Sequence, residues 1–135
     1  MALNVHHVGI AVVDLDESVE RYVALFGATV EHRETVAAQG VEAAALQIGS
    51  SRIELLRPLG PDTPVGRFLA KRGPGLHHVA FAVADLGAEL QRLRAEGVQL
   101  IDETPRRGMF GLEVAFVHPE ATGGVLAEFV RDDSH

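Results

Sequence analysis

Apolar and polar positions alternate over residues 5–13, Val5-His6-His7-Val8-Gly9-Ile10-Ala11-Val12-Val13, with the two-residue period of a strand. The period then lengthens. Leu15, Val19, Tyr22 and Val23 recur at helical spacing between Asp14 and Ala24, with Asp14 or Asp16 able to cap the helix and Gly27 to end it. Strand-like runs return over residues 29–36, 42–48 and 52–57, the last two joined by a Gly49-Ser50 turn. The first half therefore reads β-α-β-β-β. The second half repeats it, with a strand over 77–83, a helix over 86–96 closed by Gly97, and strands near 98–102, 112–117 and 125–131. Residues 58–75 are dense in proline and glycine around a short helical pattern at 65–72, and read as a connector. The expectation is one α+β domain over 4–131, built as two tandem βαβββ modules, 4–60 and 75–131, about a connector at 61–74. Each sheet would be covered on one face by its helix, and the opposite faces would curve round a shared cavity.

The two halves also match residue by residue. His6, His7, Val8, Ala11, Val12, Asp14 and Leu15 each recur 71 residues further on, so that His7 answers to His78. A second echo pairs Ile53-Glu54-Leu55-Leu56-Arg57 with Ala127-Glu128-Phe129-Val130-Arg131, an offset of 74 from Glu54 to Glu128. Strand alternation puts His7 on one face with Gly9 and Ala11, as a cavity wall would require, and His6 on the other, packed under the helix as His77 would be. A carboxylate buried unpaired within Ile-Glu-Leu-Leu would cost several kcal/mol, which a bound cation would remove. Two histidines and two glutamates contributed in duplicate thus point to a divalent-metal site formed by His7, Glu54, His78 and Glu128. Duplication alone could preserve such residues, but the repeat has let Gly9 become Ala80 and Tyr22 become Leu93.

Composition limits the remaining chemistry. A chain of 135 residues, 47% apolar and 23% charged, can bury a core and is not a disordered one. Its 12 basic and 19 acidic residues give a net charge of −7, which excludes a global field for nucleic acid; an anionic substrate would need a local arginine cluster. Arg106 and Arg107, in a loop bounded by Pro105 and Gly108, are either that cluster or an exposed basic loop. His118, before Pro119, is either a strand-end hydrogen-bonder or a substrate contact, and the run 131–135 reads as a solvated tail. No apolar run spans a bilayer and the N-terminus lacks a signal-peptide pattern, so a cytoplasmic protein with no membrane partner is expected. With no cysteine, a metal site here has only nitrogen and oxygen donors.

The duplicated His-His-Val-Gly-Ile-Ala-Val start, Arg52-Ile53-Glu54-Leu55-Leu56-Arg57-Pro58-Leu59, Gly75-Leu76-His77-His78-Val79-Ala80-Phe81, Leu100-Ile101-Asp102-Glu103-Thr104-Pro105-Arg106, and His118-Pro119 followed by Gly124-Val125-Leu126-Ala127-Glu128 together resemble the methylmalonyl-CoA epimerase family of the vicinal oxygen chelate superfamily. The resemblance covers residues 5–131. It implies a glyoxalase-type fold and a homodimer that epimerises an acyl-CoA thioester through α-proton abstraction at a metal-stabilised enolate. It further implies His7, His78 and Glu128 as ligands with Glu54 at the fourth position, a cobalt-type ion, and Glu128 as general base. Imidazole and carboxylate donors suit Co, Mn, Ni, Zn or Fe about equally. A glyoxalase-like lyase acting on a glutathione hemithioacetal, or a non-enzymatic ligand-binding protein of the resistance type, would use the same module pattern.

Two positions depart from the family pattern. Ala43 stands where some members carry a second catalytic glutamate, with Glu42 one residue away and on the other face. Glu54 or a metal-bound water would then be the second base. Glu120 replaces the usual basic residue after His-Pro, which removes a coenzyme A phosphate contact expected there.

Overall fold

The computed structural model describes residues 1–132. Among these residues, eight strands and three α-helices follow the duplicated order. β1 (Asn4–Ala11), α1 (Leu15–Phe26), β2 (Thr29–Val36), β3 (Val41–Ile48) and β4 (Ser51–Pro58) form the first module. The connector carries α2 (Pro64–Arg72). β5 (Gly75–Val83), α3 (Leu86–Ala95), β6 (Arg106–Arg107), β7 (Glu113–Val117) and β8 (Ala127–Arg131) form the second. By its contacts the chain divides into two compact units, 7–77 and 1–6 with 78–132 of the described residues.

In the first unit the strand order is β2-β3-β4-β1, with β1 and β4 parallel and the other neighbours antiparallel. Helix α1 begins where the sequence supplies an acceptor: the Asp14 carboxylate takes the Glu17 N–H at 3.0 Å. It ends at Gly27, whose φ of 69° is the left-handed conformation glycine adopts without steric cost. Its apolar stripe, Leu15 and Val19 with Tyr22, packs on Val12, Ala44, Leu46 and Leu55. Leu55 and Glu54 are chain neighbours on opposite faces, so this core fixes the direction in which Glu54 points. Replacing the fully buried Leu55 by alanine is expected to lower the unfolding free energy by about 2–5 kcal/mol, measured by chemical denaturation.

The other unit has the order β5-β8-β7-β6, again with a parallel pair, β5 and β8, at its start. Asp85 repeats the role of Asp14, accepting the Ala88 N–H at 3.0 Å, and α3 buries Leu86 and Leu90 against Val83, Ala115 and Phe129. On α3, Glu89 meets the Met1 amino group at 2.7 Å and Arg92 at 2.9 Å, which together hold its carboxyl below the usual carboxylate range. A depressed folded-state value stabilises the fold above the unfolded pKa, and that contribution is lost as pH falls through the folded one. Because the amino group is largely exposed, Glu89→Gln should cost no more than about 1 kcal/mol near neutral pH. The difference from the parent should vanish in acid, as read from urea midpoints at two pH values.

The expected strand at 98–102 is reduced to a single bridge, Leu100 to Val117. Its ladder is interrupted because the Asp102 side chain takes the Phe116 N–H at 2.9 Å, while the Ile101 and Asp102 N–H groups both donate to the Phe116 carbonyl at 3.1 Å. The short strand beside β7 is instead β6. Among the described residues, no helix is long and apolar enough to cross a membrane.

Candidate metal centre

The parallel pair that starts each module has the same register in both. Gly9 lies opposite Glu54 and Ala80 opposite Glu128; one position earlier, Val8 lies opposite Ile53 and Val79 opposite Ala127. The sequence offsets of 71 and 74 are therefore the expression of one repeated strand pairing. Each glutamate faces a residue with little or no side chain, which leaves its carboxylate room to lean along the sheet toward the histidine two positions before. In the first unit His7 Nδ1 lies 3.2 Å from Glu54 Oε2, and in the other His78 Nε2 lies 3.5 Å from Glu128 Oε1.

All four side chains are buried; His7, Glu54, His78 and Glu128 are 4%, 6%, 4% and 2% exposed in a chain that buries no other polar or charged residue to this extent among those described. Burying two carboxylates in apolar strands is costly unless cationic or hydrogen-bonding partners offset it. Each couple, an imidazole beside a carboxylate, is a donor pair of the kind that suits a borderline divalent ion.

The two faces of each sheet divide their residues as strand alternation requires. In the first unit Ala43 and Ala45 lie opposite Leu56 and Glu54, so both alanines share the Glu54 face, turned away from α1. Glu42 lies opposite Arg57 on the other face and is paired with it at 3.2 Å. It is thus no substitute for a carboxylate at position 43. In the other unit the residue opposite Glu128 is Phe116, the counterpart of Ala45.

Arg106 lies on β6, one-third exposed, with Nε 3.3 Å from Asp102 Oδ2 and its guanidinium carbon 5.6 Å from the centre of the Phe116 ring. Arg107 is exposed. His118 accepts the Glu120 N–H at its Nδ1, 3.1 Å, and caps a turn of 3₁₀ helix, the strand-end role. His77 packs edge-to-face on Phe68 of α2 at 5.0 Å, so the helix it meets is the connector's. His6 binds Asp132 at 3.1 Å rather than an apolar helix face. Asp132 is therefore anchored, against the expectation of a solvated tail; residues 133–135 lie outside the described residues. The placement of Phe116 opposite Glu128 is not expected from the sequence, where its only signal is the alignment of Phe116 with Ala45 across different strand spacings.

Comparison with known proteins agrees with this architecture. Residues 6–116 match the Glyoxalase/Bleomycin resistance protein/Dioxygenase superfamily. A protein of Dictyostelium discoideum, "Methylmalonyl-CoA epimerase, mitochondrial", is 38% identical over 124 residues, covering 91% of this chain and 75% of its own. The crystal structure of methylmalonyl-CoA epimerase from Mycobacterium tuberculosis superposes with a TM-score of 0.94 at 40% identity, over 98% of this chain and 90% of that one. A methylmalonyl-CoA epimerase in complex with methylmalonyl-CoA and NH4+ gives the same TM-score at 41% identity, over 99% and 97% of the two chains. The repeated βαβββ order, the shared strand register and this likeness along nearly the whole sequence place the chain in the methylmalonyl-CoA epimerase family, a family of isomerases with the glyoxalase fold.

Proposed function

We propose that the chain interconverts the (R) and (S) forms of methylmalonyl-CoA, with His7, Glu54, His78 and Glu128 holding one divalent cation. The observation that carries this reading is the pair of buried His–Glu couples at identical register, in a chain about 40% identical to named epimerases. A divalent ion, when bound, supplies a Lewis acid that neutralises charge developing on the thioester oxygen. Glu128 is the proposed general base. Its carboxylate takes the α-proton of the carbon between thioester and carboxylate; the C–H pair moves toward the thioester oxygen, and a proton returns to the opposite face of the carbon. With alanine at position 43 and Glu42 engaged by Arg57, Glu54 is the proposed second proton carrier. Burial of both carboxylates keeps bulk water from competing for the proton.

Arg106 is the proposed contact for an anionic group of the acyl-CoA. Its guanidinium is one-third exposed, and a planar, permanently charged group of this kind suits a carboxylate or phosphate. Arg106→Gln is expected to raise KM about tenfold with a smaller change in kcat, seen in steady-state kinetics. The family resemblance extends the proposal to a cobalt-type ion and to a cytoplasmic homodimer.

The test is α-proton exchange of methylmalonyl-CoA in deuterated water with purified protein and Co, Mn or Ni. Exchange with interconversion of the two forms is expected. Absence of exchange with each ion, or turnover of methylglyoxal and glutathione instead, would overturn the assignment.

A further inference from the structure

The two His–Glu couples are built alike but walled differently. Across the neighbouring antiparallel strand, Glu54 faces Ala45 and Glu128 faces Phe116. The Phe116 ring stands edge-to-face to the His78 imidazole, 5.5 Å between centroids and 85° between planes. Such contacts have a preferred geometry and resist ring rotation. Phe116 is itself fixed from two sides. Its N–H donates to Asp102 Oδ2, its carbonyl accepts from the Ile101 and Asp102 N–H groups, and the Arg106 guanidinium, paired to the same Asp102 oxygen, lies over its ring. Phe129, one residue beyond Glu128, points the other way and packs on Leu86 and Leu90 of α3.

We infer that Phe116, clamped by Asp102 and Arg106, is a positioning residue that sets the plane of the His78 ring and so the affinity of the second couple for its ion. In the first couple the residue at the corresponding register is Ala45. This rests on the four-residue metal site proposed above, so its test reads metal binding and ring geometry as well as turnover.

The comparison is Phe116→Leu against Phe129→Leu, two identical changes on adjacent strands and opposite faces. Phe116→Leu is expected to weaken Co2+ binding about tenfold, in competition with a chelator, beyond whatever thermal stability the buried ring contributes. Phe129→Leu is expected to lower the melting temperature and leave Co2+ affinity unchanged. Phe116→Tyr, which keeps the ring, should restore affinity. In the metal-free parent, nuclear Overhauser contacts between the His78 and Phe116 rings are expected; they are independent of any activity and of how well the variants fold. Unchanged Co2+ affinity in Phe116→Leu, equal losses in both leucine variants, or absence of the ring contacts would overturn the inference. Failure of the parent to bind any ion would count against the metal site itself, while the ring contacts would still report on the clamp.

Discussion

Glu128→Gln is expected to lower the rate of α-proton exchange on methylmalonyl-CoA by roughly a hundred- to ten-thousand-fold, the range for losing a positioned general base. Glutamine keeps the size and one acceptor oxygen of the side chain, so the strand pairing of β5 with β8 and the contact with His78 should survive. It lacks the charge and the basicity. The ion should therefore be retained at reduced affinity while kcat collapses, a pattern that separates proton transfer from folding. Isotope exchange and bound metal measured on the same preparation make the distinction. Full activity in Glu128→Gln would assign the proton transfer to another group, and Glu54 would be the next to examine.

His7→Ala and His78→Ala should each abolish metal retention through a desalting column, with affinity reduced by at least about a hundredfold, more than the loss of a residue that merely supports a ligand. The two variants are not expected to be equivalent in their metal-free forms. Alanine at position 78 removes the ring that meets the buried Phe116, whereas position 7 lies on a face shared with Gly9 and Ala11. The unfolding free energy should consequently fall further for His78→Ala, with the cavity left beside Phe116 as the cause. Retention of a full complement of metal by either variant would remove that histidine from the site.

Most of the architecture was legible because the repeat made weak signals visible twice. A single histidine in an apolar strand says little, but His7 and His78, each followed by a glutamate at a near-constant distance, point to one strand pairing used twice, and the register confirms it. The helices were readable from their own chemistry, since Asp14 and Asp85 are placed to accept N–H groups from the first turn. Reading failed where a side chain took over the work of the backbone. The stretch 98–102 has the composition of a strand, yet Asp102 occupies the Phe116 N–H and the ladder stops after one bridge. His6 and Asp132 are 126 residues apart, and no local pattern reveals that a polar pair forms where an apolar contact was expected. The wall around His78 was hidden for a similar reason. Phe116 reaches the site through an antiparallel pairing whose register depends on loop lengths, so its equivalence to Ala45 emerges only once both sheets are laid out.

Titration of the chelator-stripped chain with Co2+, following bound ion and α-proton exchange on the same samples, bears most directly on the claim that these buried couples form one working metal centre. Both signals should rise together and saturate at a single ion per chain, and neither should appear in the His7→Ala variant. Full exchange in the stripped protein, or cobalt bound equally by the parent and by His7→Ala, would contradict it.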